Sequence, residues 1–219
     1  MALDILIIGQ TGSGKTYSFK NLNPQETYFI KCFKRRITFK GGEKNYIQKD
    51  GGNCFLTNNY NTIKTLLLKI NNERPHIKQV ILDDAGYLLT DAAMRDALIK
   101  NYEKFTIQAQ EFYDLVKFAK NLREDLAVIF TMHSDFNEAG KLVLKTTGKM
   151  LDKVANISGT FDHIFHAIKI EDEYFFLTNE YNIYLARTPE GMFSQIKINN
   201  DIAFIITTAH NFYNEDIPI

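Results

Sequence analysis

The chain has 219 residues, enough for one domain with a sizeable core. Its 26 basic and 26 acidic residues cancel, which excludes a uniformly basic nucleic-acid binder but leaves room for a local basic patch. With 45% hydrophobic and 24% charged residues it is globular and not disordered. Cys32 and Cys54 lie far apart and outside any C-x-x-C, which argues against a disulfide framework and a zinc knuckle. The opening MALDILIIGQ has no basic leader region, and no apolar run approaches the ~20 residues of a membrane span. The expectation is therefore a cytoplasmic protein with no membrane segment.

Residues 3–8 form a nearly continuous apolar run, the signature of a buried parallel strand. A glycine-rich turn and a short helix over 14–21 follow, then a second strand over 26–33. Residues 34–57 hold two Gly-Gly pairs between short β-like pieces and read as a small β-hairpin excursion. A helix over 59–73 carries Tyr60, Ile63, Leu67 and Ile70 on one face and stops at Arg74-Pro75. A third strand (77–83), two helices (88–101 and 106–124) and a fourth strand (126–132) come next. Residues 133–148 read as a polar loop or small hairpin, followed by a short helix from 149. Strands near 162–170 and 174–178 and a last helix from 201 complete the chain. Alternating strands and helices predict an α/β fold, a mostly parallel central sheet flanked by helices.

The sequence Gly9-Gln10-Thr11-Gly12-Ser13-Gly14-Lys15-Thr16 matches G-x-x-x-x-G-K-[ST] in full, between a predicted strand and a predicted helix. Glycines let backbone N–H groups approach phosphate oxygens, and the helix start adds its dipole. In this reading Lys15 reaches the β- and γ-phosphates of ATP and Thr16 ligates Mg²⁺. The whole chain, 1–219, then reads as a single P-loop NTPase domain. Val80-Ile81-Leu82-Asp83-Asp84 is a buried strand ending in carboxylates, as a Walker B strand requires, with Asp83 facing Mg²⁺. Strand 26–33 separates it from the P-loop strand, as in ATPases with an inserted strand. Asp84 is either the group that orients or deprotonates the attacking water or a helix N-cap. Thr131 and His133, at the end of the fourth strand, are placed near the γ-phosphate; the alternative for His133 is an exposed loop histidine. His163 and His166, at odd separation, face opposite sides of a strand and are not a metal pair.

Between residues 31 and 49 stand Lys31, Lys34, Arg35, Arg36, Lys40, Lys44 and Lys49 against one acid, Glu43, with Phe33, Phe39 and Tyr46 interleaved. Cations for phosphates and rings for bases suit single-stranded nucleic acid, with Lys31, Lys34, Arg35 and Arg36 as the leading contacts. The plain alternative is a solvated, solubilising loop.

With these residues in place the chain resembles the phage-encoded ATP-binding proteins of the RecA/RadA-like P-loop NTPase class, some of which are single-strand annealing recombinases. The resemblance is carried by GQTGSGKT (9–16), ILDDAGYLL (81–89), YEKFTIQAQEF (102–112), FTMHSD (130–135), TTGKMLDK (146–153) and ARTPEGMF (186–193). It implies a RecA-like core and ATP with Mg²⁺. It also implies single-stranded DNA, a phage single-strand binding protein as partner, and the host cell's cytoplasm. In that class the cation that answers charge on the transferred phosphate comes from a neighbouring subunit, which here points to Arg187 or Lys149 and to a homo-oligomeric ring or filament. A surface salt bridge is the simpler role for either. The function expected is a DNA-stimulated ATPase in recombination or annealing. The alternatives are a nucleotide-switched loader or host-interaction module with slow turnover and, lacking an arginine-bearing lid, a nucleotide kinase.

Overall fold

The first apolar run forms β1 (Leu3–Gly9), buried along its whole length. The computed structural model describes residues 1–98, 100–101, 103–146 and 156–215. After β1 come a 3-10 turn (Thr16–Asn21), β2 (Thr27–Lys31), α1 (Gly42–Asn45), β3 (Cys54–Leu56), α2 (Tyr60–Glu73), β4 (Gln79–Asp83), α3 (Gly86–Arg95) and α4 (Glu103–Lys120). They are followed by β5 (Ala127–Phe136), β6 (Leu142–Leu144), a second 3-10 turn (Ser158–Thr160), β7 (His163–Ile170), β8 (Glu173–Leu177), β9 (Lys197–Asn199) and α5 (Ile202–Glu215). The helix expected from Lys149 falls outside the described residues.

The strands form one sheet in the order β3-β2-β4-β5-β1-β7-β8-β9, with β6 paired to β5. From β3 to β7 the neighbours run parallel, and β8 and β9 add antiparallel at one edge. Alternation along β1 divides the core into two layers. Leu6 and Ile8 face Ile63 and Leu67 of α2, Leu88 and Leu89 of α3, and Phe112, Leu115 and Val116 of α4. Ile5 and Ile7 face Phe19 of the first 3-10 turn and Ile202, Ile205 and Ile206 of α5. Helix α2 starts where its sequence says it should: the Asn59 side chain accepts the Thr62 backbone N–H at 3.0 Å.

Two expectations are corrected. Residues 34–53 contain no hairpin: α1 forms at Gly41-Gly42, and Cys54–Leu56 is an edge strand parallel to β2. Burial explains it, because Ile37 and Phe39 turn into the core and press on Gly42, where an added Cβ would lie 2.3 Å from Ile37 Cγ2. The strand inserted between the P-loop strand and the acidic strand is β5, not 26–33, which pairs on the outer side of β4.

Candidate functional site

Parallel registry brings the predicted chemistry to one edge. Gly9 pairs with His133 across β1 and β5, and Lys31 pairs with Asp83 across β2 and β4. These are carboxyl ends of parallel strands, where α/β sheets bind ligands. Residues 10–12 form an exposed tip, whereas Ser13 and Lys15 are buried. Gly14 has φ +94°, and a Cβ there would lie 2.6 Å from Tyr174 Cδ1, so both backbone and neighbour demand glycine.

Lys15 Nζ donates to the Gly9 carbonyl at 2.8 Å and to the Gln10 carbonyl at 2.9 Å. Burial lowers its pKa to about 8, against the pull of Asp84 and Asp83. Thr16 Oγ1 donates to Asp83 Oδ1 at 3.1 Å, and Thr131 Oγ1 donates to the same oxygen at 2.9 Å. The Thr131 hydroxyl in turn accepts the Asp84 backbone N–H at 2.7 Å. Burial, with Asp84 beside it, pushes Asp83 up to about 6. A desolvated carboxylate next to a threonine hydroxyl is a hard-oxygen donor set that suits Mg²⁺, an ion that takes few protein ligands and completes its shell with phosphate and water. The residues present therefore fit Mg²⁺.

Asp84 has φ +58°, the left-handed region, which costs an aspartate less than most residues. The side chain does not cap α3, whose N-cap is Ala85. Its oxygens instead face the cleft, 3.4 Å from Arg35 Nη1 and 3.6 Å from His133 Nε2. Burial and the nearby Lys15 lower the His133 pKa, so the imidazole is neutral at neutral pH and its contact with Asp84 is not an ion pair. Gln10, Thr11, Arg35, Tyr87, His133 and Lys145 are among the residues lining an open cavity of about 650 Å³.

With this geometry in view, comparison with known structures bears on the fold. The chain is similar to a DnaB-like replicative helicase whose structure was described with its interactions with primase. The two share 12% identity at a TM-score of 0.53, over 86% of this chain and 52% of the helicase chain. The fold is that of the RecA-like P-loop NTPases. The chain spans about half the length of that helicase. No protein-family model matches the sequence, and no curated protein does.

The other predicted residues scatter. Arg187 is not brought to this edge: its backbone pairs with Ile164, and its guanidinium donates to the Phe161 and Ser158 carbonyls. Lys149 lies outside the described residues. Within the basic stretch, Lys34 and Arg36 are exposed, but Lys31 Nζ pairs with Glu43 at 2.9 Å and Arg35 turns into the cleft. Of the interleaved rings, Phe39 and Tyr46 are core residues and Phe33 stacks on Tyr87, so rings are not laid out there for bases. His163 and His166 make separate contacts, Nδ1 of His163 with the Asp4 carbonyl and Nδ1 of His166 with the Leu185 carbonyl. Among the described residues no helix is long and apolar enough to cross a membrane.

Sequence reasoning missed Tyr87 and the placement of Arg35. Tyr87 stands four residues after Asp83, on the first turn of α3, where a helix following an acidic strand faces the cleft. That offset was the available signal.

Proposed function

We propose that the chain binds ATP with Mg²⁺ in the 9–16 loop and hydrolyses it, and that it serves DNA recombination or single-strand annealing. The convergence of Thr16, Asp83 and Thr131 beside a glycine-shaped loop carries this reading. On binding, Lys15 exchanges the Gly9 and Gln10 carbonyls for β- and γ-phosphate oxygens, and Thr16 and Asp83 hold Mg²⁺. The ion, when bound, supplies charge neutralisation on the phosphates. Asp84 orients a water toward the γ-phosphorus. The water's oxygen–phosphorus bond forms as the bond to the leaving ADP oxygen breaks, and the water's proton passes to Asp84 and then to the released phosphate. His133, neutral, lines the cleft beside Asp84.

The DNA role is supported by the exposed Lys34, Arg36, Lys40 and Lys44 on one excursion. A phage single-strand binding protein and further copies of the chain are the partners this role needs. One observation favours a second reading, a nucleotide-switched loader with slow turnover. Lys31 and Arg35 are engaged within the chain, Phe39 and Tyr46 are buried and Phe33 is stacked on Tyr87, which leaves fewer groups for a strand of DNA. Steady-state ATPase with and without single-stranded DNA, with oligomer size measured in parallel, separates them. Stimulation by DNA supports the first, slow DNA-independent turnover the second, and no turnover contradicts both.

A further inference from the structure

Arg35 is held in a way that a solubilising surface arginine is not. The Phe33 and Tyr87 rings stack with centroids 4.1 Å apart and planes 21° from parallel. The Arg35 guanidinium carbon lies 5.3 Å from the Phe33 centroid and 5.4 Å from the Tyr87 centroid. Its Nη2 donates to the Tyr87 hydroxyl at 2.7 Å, and its Nη1 faces Asp84 Oδ2 at 3.4 Å. Cation–π contact, a charge-assisted hydrogen bond to a neutral hydroxyl and an ion pair thus converge on a side chain that remains about half exposed, at 47%. The exposed part faces the cavity that Gln10 and Thr11 of the loop also line.

We propose that Arg35 is a triphosphate-sensing arginine acting within its own chain: it pairs with Asp84 when the cleft holds no terminal phosphate and transfers to the γ-phosphate when one arrives, freeing the Asp84 carboxylate. This rests on the nucleotide reading above. The exchange is favourable in direction, since a phosphate accepts a guanidinium through two parallel charge-assisted bonds, whereas Asp84 is met by one nitrogen at 3.4 Å. A diphosphate held by the loop has no oxygen at the γ position for Arg35 to take. The stacked rings act as the base that keeps the guanidinium over the cleft through the exchange. No second subunit is needed to supply this cation.

The test is calorimetric titration of Mg²⁺-ATPγS and Mg²⁺-ADP into wild type, Arg35→Ala, Arg35→Lys and Lys15→Ala, with melting curves to confirm folding. Arg35→Ala is expected to lose about tenfold or more in ATPγS affinity while ADP affinity changes less than about twofold. Arg35→Lys, a point charge without the fork, is expected to recover only part of the loss. Equal losses for both nucleotides, or none, overturn the proposal. Lys15→Ala is expected to weaken both ligands. A wild type that binds neither overturns the P-loop reading itself, and this proposal with it. The ATPγS preference is expected to survive dilution to the monomer; its restoration in Arg35→Ala by added Lys15→Ala subunits would assign the arginine to a neighbour and overturn the intrachain role.

Discussion

Thr131 joins the two halves of the site at the level of single atoms. Its hydroxyl donates to Asp83 and accepts from the Asp84 backbone, and its side chain is fully buried. Thr131→Val keeps the shape and removes both bonds, leaving a buried N–H without a partner. The expected cost is about 1–3 kcal/mol in urea denaturation, and an unchanged midpoint would show the hydroxyl to be dispensable. A second buried acid, Asp4 on β1, gives a pH dependence. It accepts the Asp162 backbone N–H at 2.9 Å and lies 3.5 Å from Lys120 Nζ, with the Asp162 carboxylate and His163 also beside it. Burial pushes Asp4 up to about 6 from 3.8. A carboxyl that holds its proton more tightly folded than unfolded contributes stability below about pH 4 that is lost as pH rises through about 6. Asp4→Asn is therefore expected to shrink the fall in stability between pH 4 and 6, read as the difference between the two denaturation series. Identical slopes would contradict the assignment. The P-loop and the acidic strand were legible because their chemistry is written in contiguous residues. Arg35 was not, because its partners Tyr87 and Asp84 are about fifty residues away and meet it only through the β2–β4 pairing.

Among the elements, long periodic ones were read well and short ones were not. The α2 stripe Tyr60, Ile63, Leu67 and Ile70 is buried as its spacing requires. By contrast β9 is three residues with only Ile198 buried, too short for alternation to register. The 34–57 excursion misled because its two Gly-Gly pairs between short β-like pieces look like hairpin turns, although tertiary burial of Ile37 and Phe39 decides the conformation. That same element carries the nucleic-acid expectation. Lys34 and Arg36 are the exposed cations that flank Arg35, so Lys34→Ala with Arg36→Ala is expected to weaken single-strand binding and to flatten its salt dependence. The slope should fall by about one unit per lost phosphate contact. Unchanged affinity and slope would leave the charge a matter of solubility.

For the molecule as a whole, the order β3-β2-β4-β5-β1-β7 sets what the chain can do alone. The 9–16 loop, acidic strand, Thr131, His133 and Arg35 all gather at the carboxyl ends of the parallel strands, whereas Arg187 is anchored to the Ser158 and Phe161 carbonyls. A guanidinium so engaged must leave both to reach a neighbour. Arg187→Ala is therefore expected to lower stability by about 1 kcal/mol and to leave ATP turnover near wild type. Slow turnover restored by adding Lys15→Ala subunits would instead place Arg187 across an interface in a ring or filament. Whether the 9–16 loop holds a nucleoside triphosphate through Lys15 is read from calorimetric titration of Mg²⁺-ATP into wild type and Lys15→Ala. Saturable one-to-one binding by wild type, lost or nearly lost in a folded Lys15→Ala, is the result expected; equal affinity in the two proteins would contradict it.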